Sequence, residues 1–263
     1  MSFVEVNGAA LRYELSGSGS RTIVLIHEMG GTLESWDEVV PQLDASRRVL
    51  RYDTRGAGMS EKVRGALSID TMVDDLAALM DALGITGKVA LAGIAVGGAI
   101  ALHAAARLPQ RISAAVVGSP ATGIAAERRA AVLARVDRLE REGLRGAVED
   151  SMANGYAFEL RNDPASFAAF RARWLGNDPA SYAAIYRMLA GMDLQSELAS
   201  IRCPVLVLGG ALDRVRPPAL VEPVARAIPG ARYLVLQTGH YMSVATPGLV
   251  ADAIGGFLDE VGA

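Results

Sequence analysis

One cysteine, Cys203, stands among 263 residues. That excludes an internal disulfide and a cysteine-based zinc site. The three histidines, His27, His103 and His240, are too few and too scattered to suggest a metal cluster. Lysine is nearly missing, with Lys62 and Lys88 alone among 26 basic residues. The formal net charge of −3 provides neither a basic field for nucleic acid nor an acidic tail. No run of about 18 apolar residues occurs, so no membrane span is expected. The opening MSFVEVNG has no basic stretch leading into an apolar one. No signal peptide is therefore expected, and the cytoplasm is the simplest compartment.

Hydrophobic residues make up 51% of the chain and charged residues 21%, enough apolar side chains for the core of one large domain. Short apolar runs alternate with longer helical patterns, which predicts an α/β fold with a mostly parallel sheet. Phe3–Val6 and Leu11–Leu15, split by Asn7-Gly8, predict a hairpin. Six runs dense in Val, Ile and Leu predict strands covered on both faces: Thr22–His27, Arg48–Asp53, Lys88–Gly93, Ile112–Ser119, Pro204–Gly210 and Ala231–Gln237. Helical patterns lie at Leu33–Leu43, Ile69–Leu83, Val96–Arg107, Ala219–Ile228 and Gly248–Val261. Ser68 is the expected cap of the second and Gly84 its stop. Between Pro120 and Arg202 the rhythm breaks into three or four helices, punctuated by Gly143, Asp163-Pro164 and Asp178-Pro179. The expected organisation is a core of residues 1–119 and 203–263 with a helical lid, residues 120–202, inserted between two strands.

The chemistry-bearing segment follows the strand that begins at Lys88. There the chain reads Gly93-Ile94-Ala95-Val96-Gly97. A strand passing into a helix through Gly-x-Ser-x-Gly is a nucleophile elbow, a strained turn that thrusts the central side chain out at the carboxyl edge of the sheet. Ala95 occupies the nucleophile's place. By itself the motif fits equally a helix packed closely on a strand. It is neither a P-loop nor the Gly-x-Gly-x-x-Gly dinucleotide pattern. Three further segments complete an ordered set: His27-Glu28-Met29-Gly30-Gly31 with Ser35-Trp36, Asp53-Thr54-Arg55-Gly56, and Asp213 ahead of Pro217-Pro218 with Thr238-Gly239-His240.

Together these segments resemble the α/β-hydrolase superfamily, in the lactonase/esterase branch that holds proteins similar to 3-oxoadipate enol-lactonase. The resemblance runs over nearly the whole chain. It implies an eight-stranded, mostly parallel sheet with helices on both faces, and a hydrolase of small esters or lactones, carboxylated ones in particular. It assigns the acid to Asp213, the base to His240 and the oxyanion hole to the backbone N–H groups of Met29 and Val96. A carboxylate on one imidazole nitrogen fixes the tautomer and leaves the other nitrogen to move protons. No cofactor or metal is implied, and the partner is a small-molecule substrate rather than nucleic acid or membrane. The oligomeric state stays open.

The chain departs from that pattern twice. Glu28 stands where glycine is usual, beside the oxyanion hole. It reads as a solvated or arginine-paired loop residue, with an acid/base role in altered chemistry as the alternative. Ala95 reads either as a serine replaced by alanine or as a native alanine. In the second case the site binds without chemistry, or His240 activates water or abstracts a substrate proton, as in a cofactor-free lyase, decarboxylase or C–C hydrolase. Ser119 is the nearest hydroxyl to consider as a substitute nucleophile. His27 and Arg55 read as loop-holding residues, and His103 as a packing residue. Trp174, Tyr156, Tyr186, Arg128 and Arg161 are the lid residues expected to meet substrate, an arginine there favouring a carboxylate through paired hydrogen bonds.

Overall fold

Asn7 and Gly8 both adopt left-handed backbone, with φ of 48° and 70°. A two-residue hairpin turn of the primed type needs that conformation at both positions. In the computed structural model, which describes residues 2–263, this turn joins β1 (Ser2–Val6) to β2 (Ala9–Ser16). There follow β3 (Thr22–Ile26), α1 (Val40–Leu43), β4 (Arg48–Tyr52), α2 (Ile69–Ala82), β5 (Val89–Ile94), α3 (Val96–Arg107) and β6 (Ile112–Gly118). Next come α4 (Ala126–Glu142), α5 (Val148–Gly155), α6 (Pro164–Leu175), α7 (Pro179–Gly191) and α8 (Gln195–Leu198). The chain then returns to the sheet with β7 (Val205–Gly210), α9 (Pro218–Ala227), β8 (Arg232–Leu236), α10 (Met242–Ala245) and α11 (Pro247–Val261).

The eight strands form one sheet in the order β1-β2-β4-β3-β5-β6-β7-β8. β2 runs antiparallel to both β1 and β4, and every other pairing is parallel. The sheet is covered on both faces. Met72, Leu76 and Leu79 of α2, Ile100 of α3 and Val221 of α9 pack on one side. Leu43 of α1 and Val250, Ile254 and Phe257 of α11 pack on the other. After β3 the chain fills positions to one side, and from β5 onward it fills the other. The carboxyl ends of β3 and β5 therefore border a crevice, the place where sheets of this kind receive ligands.

Two local expectations change. The predicted helix Leu33–Leu43 is a 3₁₀ turn, Leu33–Trp36, followed separately by α1. Pro41 lacks an N–H, so a helix restarts around it rather than running through. β8 is not covered on both faces: it lies at the sheet edge, with Leu234 and Val235 each 42% exposed.

The helical segment between β6 and β7 has its own apolar cluster, which includes Leu139, Met152, Phe170, Trp174 and Tyr182. Its helix starts follow the Asp-Pro pairs. The Asp163 carboxylate accepts the N–H groups of Ala165 and Ser166, and the Asp178 carboxylate accepts that of Ser181. Gly143 closes α4 with φ of 78°. A single bridge between Gly123 and Asp193 ties the two ends of the segment together.

Candidate active site

The first part of the site is the turn from β5 into α3. Ala95 has φ 51° and ψ −108°, a backbone that non-glycine residues rarely adopt. Such strain costs on the order of 1–3 kcal/mol and persists where the surroundings enforce it. Here they do. The Ala95 N–H donates to the Gly118 carbonyl at 2.8 Å, and its own carbonyl accepts the Ala121 N–H at 3.0 Å. A Cβ on Gly93 would meet the Gly97 carbonyl, and one on Gly97 would meet the Ile26 carbonyl. Glycine at both positions lets α3 start directly against the strand ends. The strained elbow is complete, and a methyl group stands at its apex.

The second part is assembled from three strand ends. Asp213, in the turn after β7, is 3% exposed and accepts four hydrogen bonds. Its Oδ1 takes the N–H groups of Val215 and Arg216, each at 2.8 Å. Its Oδ2 takes the Ser119 hydroxyl and lies 2.8 Å from His240 Nδ1. Burial pushes the Asp213 carboxyl up, but the His240 hydrogen bond and charge, the Arg216 amide and the Ser119 hydroxyl outweigh it. The net result is a value below the ordinary 3.8. The carboxylate takes Nδ1, and the other ring nitrogen of His240, Nε2, has no hydrogen-bond partner among the described residues. The His240 N–H donates to the Gly155 carbonyl at 2.8 Å, so the loop after β8 is fastened to α5.

Ser119 is therefore not aimed as a nucleophile. Its hydroxyl points at the acid, and its φ of 42° makes it a second strained non-glycine residue at the same sheet edge.

The third part is the loop after β3. His27 Nδ1–H donates to the Glu28 carbonyl at 2.7 Å, and Nε2 accepts the Thr54 N–H at 3.0 Å, so both nitrogens are used to hold loops. Glu28 is neither solvated nor paired with arginine. It is fully buried, its Oε1 accepts the Ser35 hydroxyl at 2.8 Å, and its Oε2 has no partner. The side chain curls back under its own loop, into space that a Cβ on Gly31 would fill. Arg55 ties the loop after β4 to α2 through Asp75 and to the first hairpin through the Asn7 carbonyl. His103 is held between Asp70 and Glu197 and shares no hydrogen-bond partner with Asp213 or His240.

A cavity of about 580 Å³ is lined by Ala95, Val96, Met29 and His240 together with Arg128 and Tyr186 of the helical segment. Val96 is the first residue of α3, where a helix offers its amide no acceptor. The Met29 amide likewise has no acceptor among the described residues. Trp174, Tyr156 and Arg161 do not line the cavity. Trp174 is fully buried against Gly30, Tyr156 packs on Phe167 and Phe170, and Arg161 caps the carbonyls of Met152 and Tyr156. Arg214 and Arg216, which do line it, are residues that sequence reasoning passed over. Their signal was position: both follow the acid immediately, in a loop that the topology must place at the carboxyl edge. Among the described residues no group of His, Cys, Asp and Glu is arranged to hold a metal ion. None of the described helices is long and apolar enough to cross a membrane.

A parallel sheet wrapped on both sides, an elbow after its central strand, an acid after β7 and a histidine after β8 define the α/β-hydrolase class. The chain belongs to the hydrolase family described as serine aminopeptidase, S33, which matches residues 17–238. It is 27% identical to 3-oxoadipate enol-lactonase 1 of Acinetobacter baylyi, over 97% of this chain and 95% of that one. A thermophilic esterase from Thermogutta terrifontis, solved with malate bound, superposes with a TM-score of 0.92 at 28% identity, covering 99% of both chains. The enol-lactonase from Burkholderia xenovorans LB400 superposes with a TM-score of 0.91 at 29% identity, over 98% of this chain and all of that one. A 41% identical stretch of 110 residues is shared with the dihydrolipoyllysine-residue acetyltransferase component of the acetoin cleaving system of Pseudomonas putida. It spans 41% of this chain and only 30% of that protein.

Proposed function

We propose that this chain carries a site for small, carboxylate-bearing esters or lactones. Asp213 orients His240, His240 moves the proton, and the N–H groups of Met29 and Val96 receive the charge that develops on the substrate oxygen. Residues 120–202 act as a cap over that site, and no metal or cofactor is needed for the chemistry. The observation that carries the reading is the His240–Asp213 hydrogen bond of 2.8 Å beside a fully formed elbow. The esterase and enol-lactonase relatives support the reaction class. The malate named for the esterase supports an anionic ligand.

With Ala95 at the apex no acyl-enzyme forms. The route that remains is direct. His240 Nε2 takes a proton from water as the water oxygen adds to the carbonyl, and returns that proton to the alkoxide when the C–O bond breaks. Loss of the nucleophile in such a triad typically costs on the order of a millionfold in kcat. Installing Ala95→Ser should therefore raise turnover of small aryl esters or enol-lactones by about a thousandfold or more. No gain for either class would count decisively against the reading.

The missing hydroxyl itself favours a second reading. An intact dyad without a nucleophile suits proton abstraction from a bound substrate, as in a cofactor-free lyase, decarboxylase or C–C hydrolase. That reading expects activity in the unmodified chain which His240→Ala removes and Ala95→Ser does not improve. Ligand binding with no product from either form would point to a receptor instead.

A further inference from the structure

Four arginines face the cavity: Arg128 and Arg135 from α4, and Arg214 and Arg216 from the loop after the acid. A single carboxylate, Asp150, stands on the same lining. None of the four guanidiniums makes an ion pair or a side-chain hydrogen bond among the described residues. Arg187, on the neighbouring α7, shows the contrast, since it is saturated by Asp137 and Glu140. Arg216 is the deepest of the set. It is half-buried, its Nε is sealed from solvent, and that nitrogen has no acceptor. A sealed, unmatched Nε also occurs in Arg12, Arg47, Arg111 and Arg173, but of these five arginines only Arg216 lines the cavity.

The surroundings of Arg216 show what is missing. Burial depresses its basicity, and the neighbouring Arg128 adds to this by like-charge repulsion. Asp213 pulls the other way, but its oxygens are already committed to Val215, Arg216 N–H, Ser119 and His240. Arg216 and Arg128 line the same cavity and neither guanidinium is paired with a carboxylate of the chain, which suits an oxyanion supplied from outside. The same cavity is lined by the apolar side chains of Val132, Leu220, Pro223 and Val224. That suits a short hydrocarbon chain ending in one carboxylate rather than a highly charged phosphate.

We infer that Arg216 and Arg128 form the subsite that binds the substrate's non-reacting carboxylate, while its acyl end lies under Ala95, Met29 and His240. This rests on the ester or lactone reading for the second half only; the anion subsite itself does not require turnover. Arg216 is then a specificity-determining residue, and it acts on binding rather than on the proton transfer.

The test uses the chain as it stands, with monomethyl succinate as the carboxylated probe and dimethyl succinate as its neutral twin, each titrated by calorimetry. The monoester should bind about tenfold or more tightly, the usual scale for a charge-assisted contact. Arg216→Gln should remove most of that preference, and Arg216→Lys should restore part of it. Arg129→Gln, on the outer face of α4, should leave it unchanged. Equal binding of the two probes, or a preference that survives Arg216→Gln combined with Arg128→Gln, overturns the subsite. The two proposals fail separately. A gain of ester turnover in Ala95→Ser without any preference for the monoester keeps the hydrolase reading and sinks the subsite. A preference without turnover keeps the subsite and sinks that reading.

Discussion

At the scale of single residues, the site is governed by atoms that have no alternative place to go. Gly97 is the clearest case, because a methyl group there would collide with the Ile26 backbone carbonyl, which cannot swing away. Gly97→Ala should therefore cost about 1–3 kcal/mol, read by urea denaturation, with the loss tied to displacement of α3 from the strand ends. Glu28 gives a second prediction. Its Oε1 is the acceptor for a buried Ser35 hydroxyl, so Glu28→Ala should cost about 1–3 kcal/mol by leaving that hydroxyl unmatched. A loss near zero would mean that Ser35 finds another acceptor. Ser119 belongs with the dyad, since its hydroxyl fixes the oxygen that also meets His240. In the Ala95→Ser background, Ser119→Ala should lower kcat with little change in KM. The elbow, Asp213 and His240 were legible in the order of their motifs. The burial of Glu28 was not, because nothing in a linear sequence says that Gly31 leaves room for the side chain to fold back.

At the scale of elements, helix starts were the most readable feature. Asp-Pro places an acceptor at the cap and a residue without N–H in the first turn, and both α6 and α7 begin that way. Asp178 does more than cap: it also holds Arg64, while Ser181, whose hydroxyl it accepts, takes the Val63 N–H. Asp178→Ala should thus cost about 1 kcal/mol or somewhat more in thermal unfolding. It should also loosen the contact between α7 and the loop after β4, seen as faster amide exchange at Val63. The predicted helix at Leu33–Leu43 failed for a reason of the same kind. Apolar spacing alone suggested continuity, and Pro41, which has no N–H to donate, imposed a break. The strand expected at Ala231–Gln237 is present as β8, and only its cover on both faces failed, since apolar density cannot distinguish a central strand from one at the edge.

At the scale of the molecule, acid stability should follow the dyad. The Asp213 carboxyl lies below its ordinary 3.8 in the folded chain. A group depressed on folding stabilises the fold fully above its unfolded value, and that stabilisation is lost as pH falls through the folded value. Unfolding midpoints should therefore drop as pH is lowered below about 4, and Asp213→Asn should flatten the drop. A slope unchanged by that substitution would place the acid sensitivity elsewhere. The sequence by itself determined the alternation of strands and helices, the elbow with its missing hydroxyl, and the order of acid and histidine, because each depends on neighbours within a few residues. Only the tertiary structure decided which arginines lack partners, that Glu28 is sealed, and that Ser119 serves the acid. The arginine and Ser119 environments arise where segments dozens of positions apart meet, and the Glu28 fold-back is a conformation of its own loop; all are set by packing and by competition for hydrogen-bond acceptors.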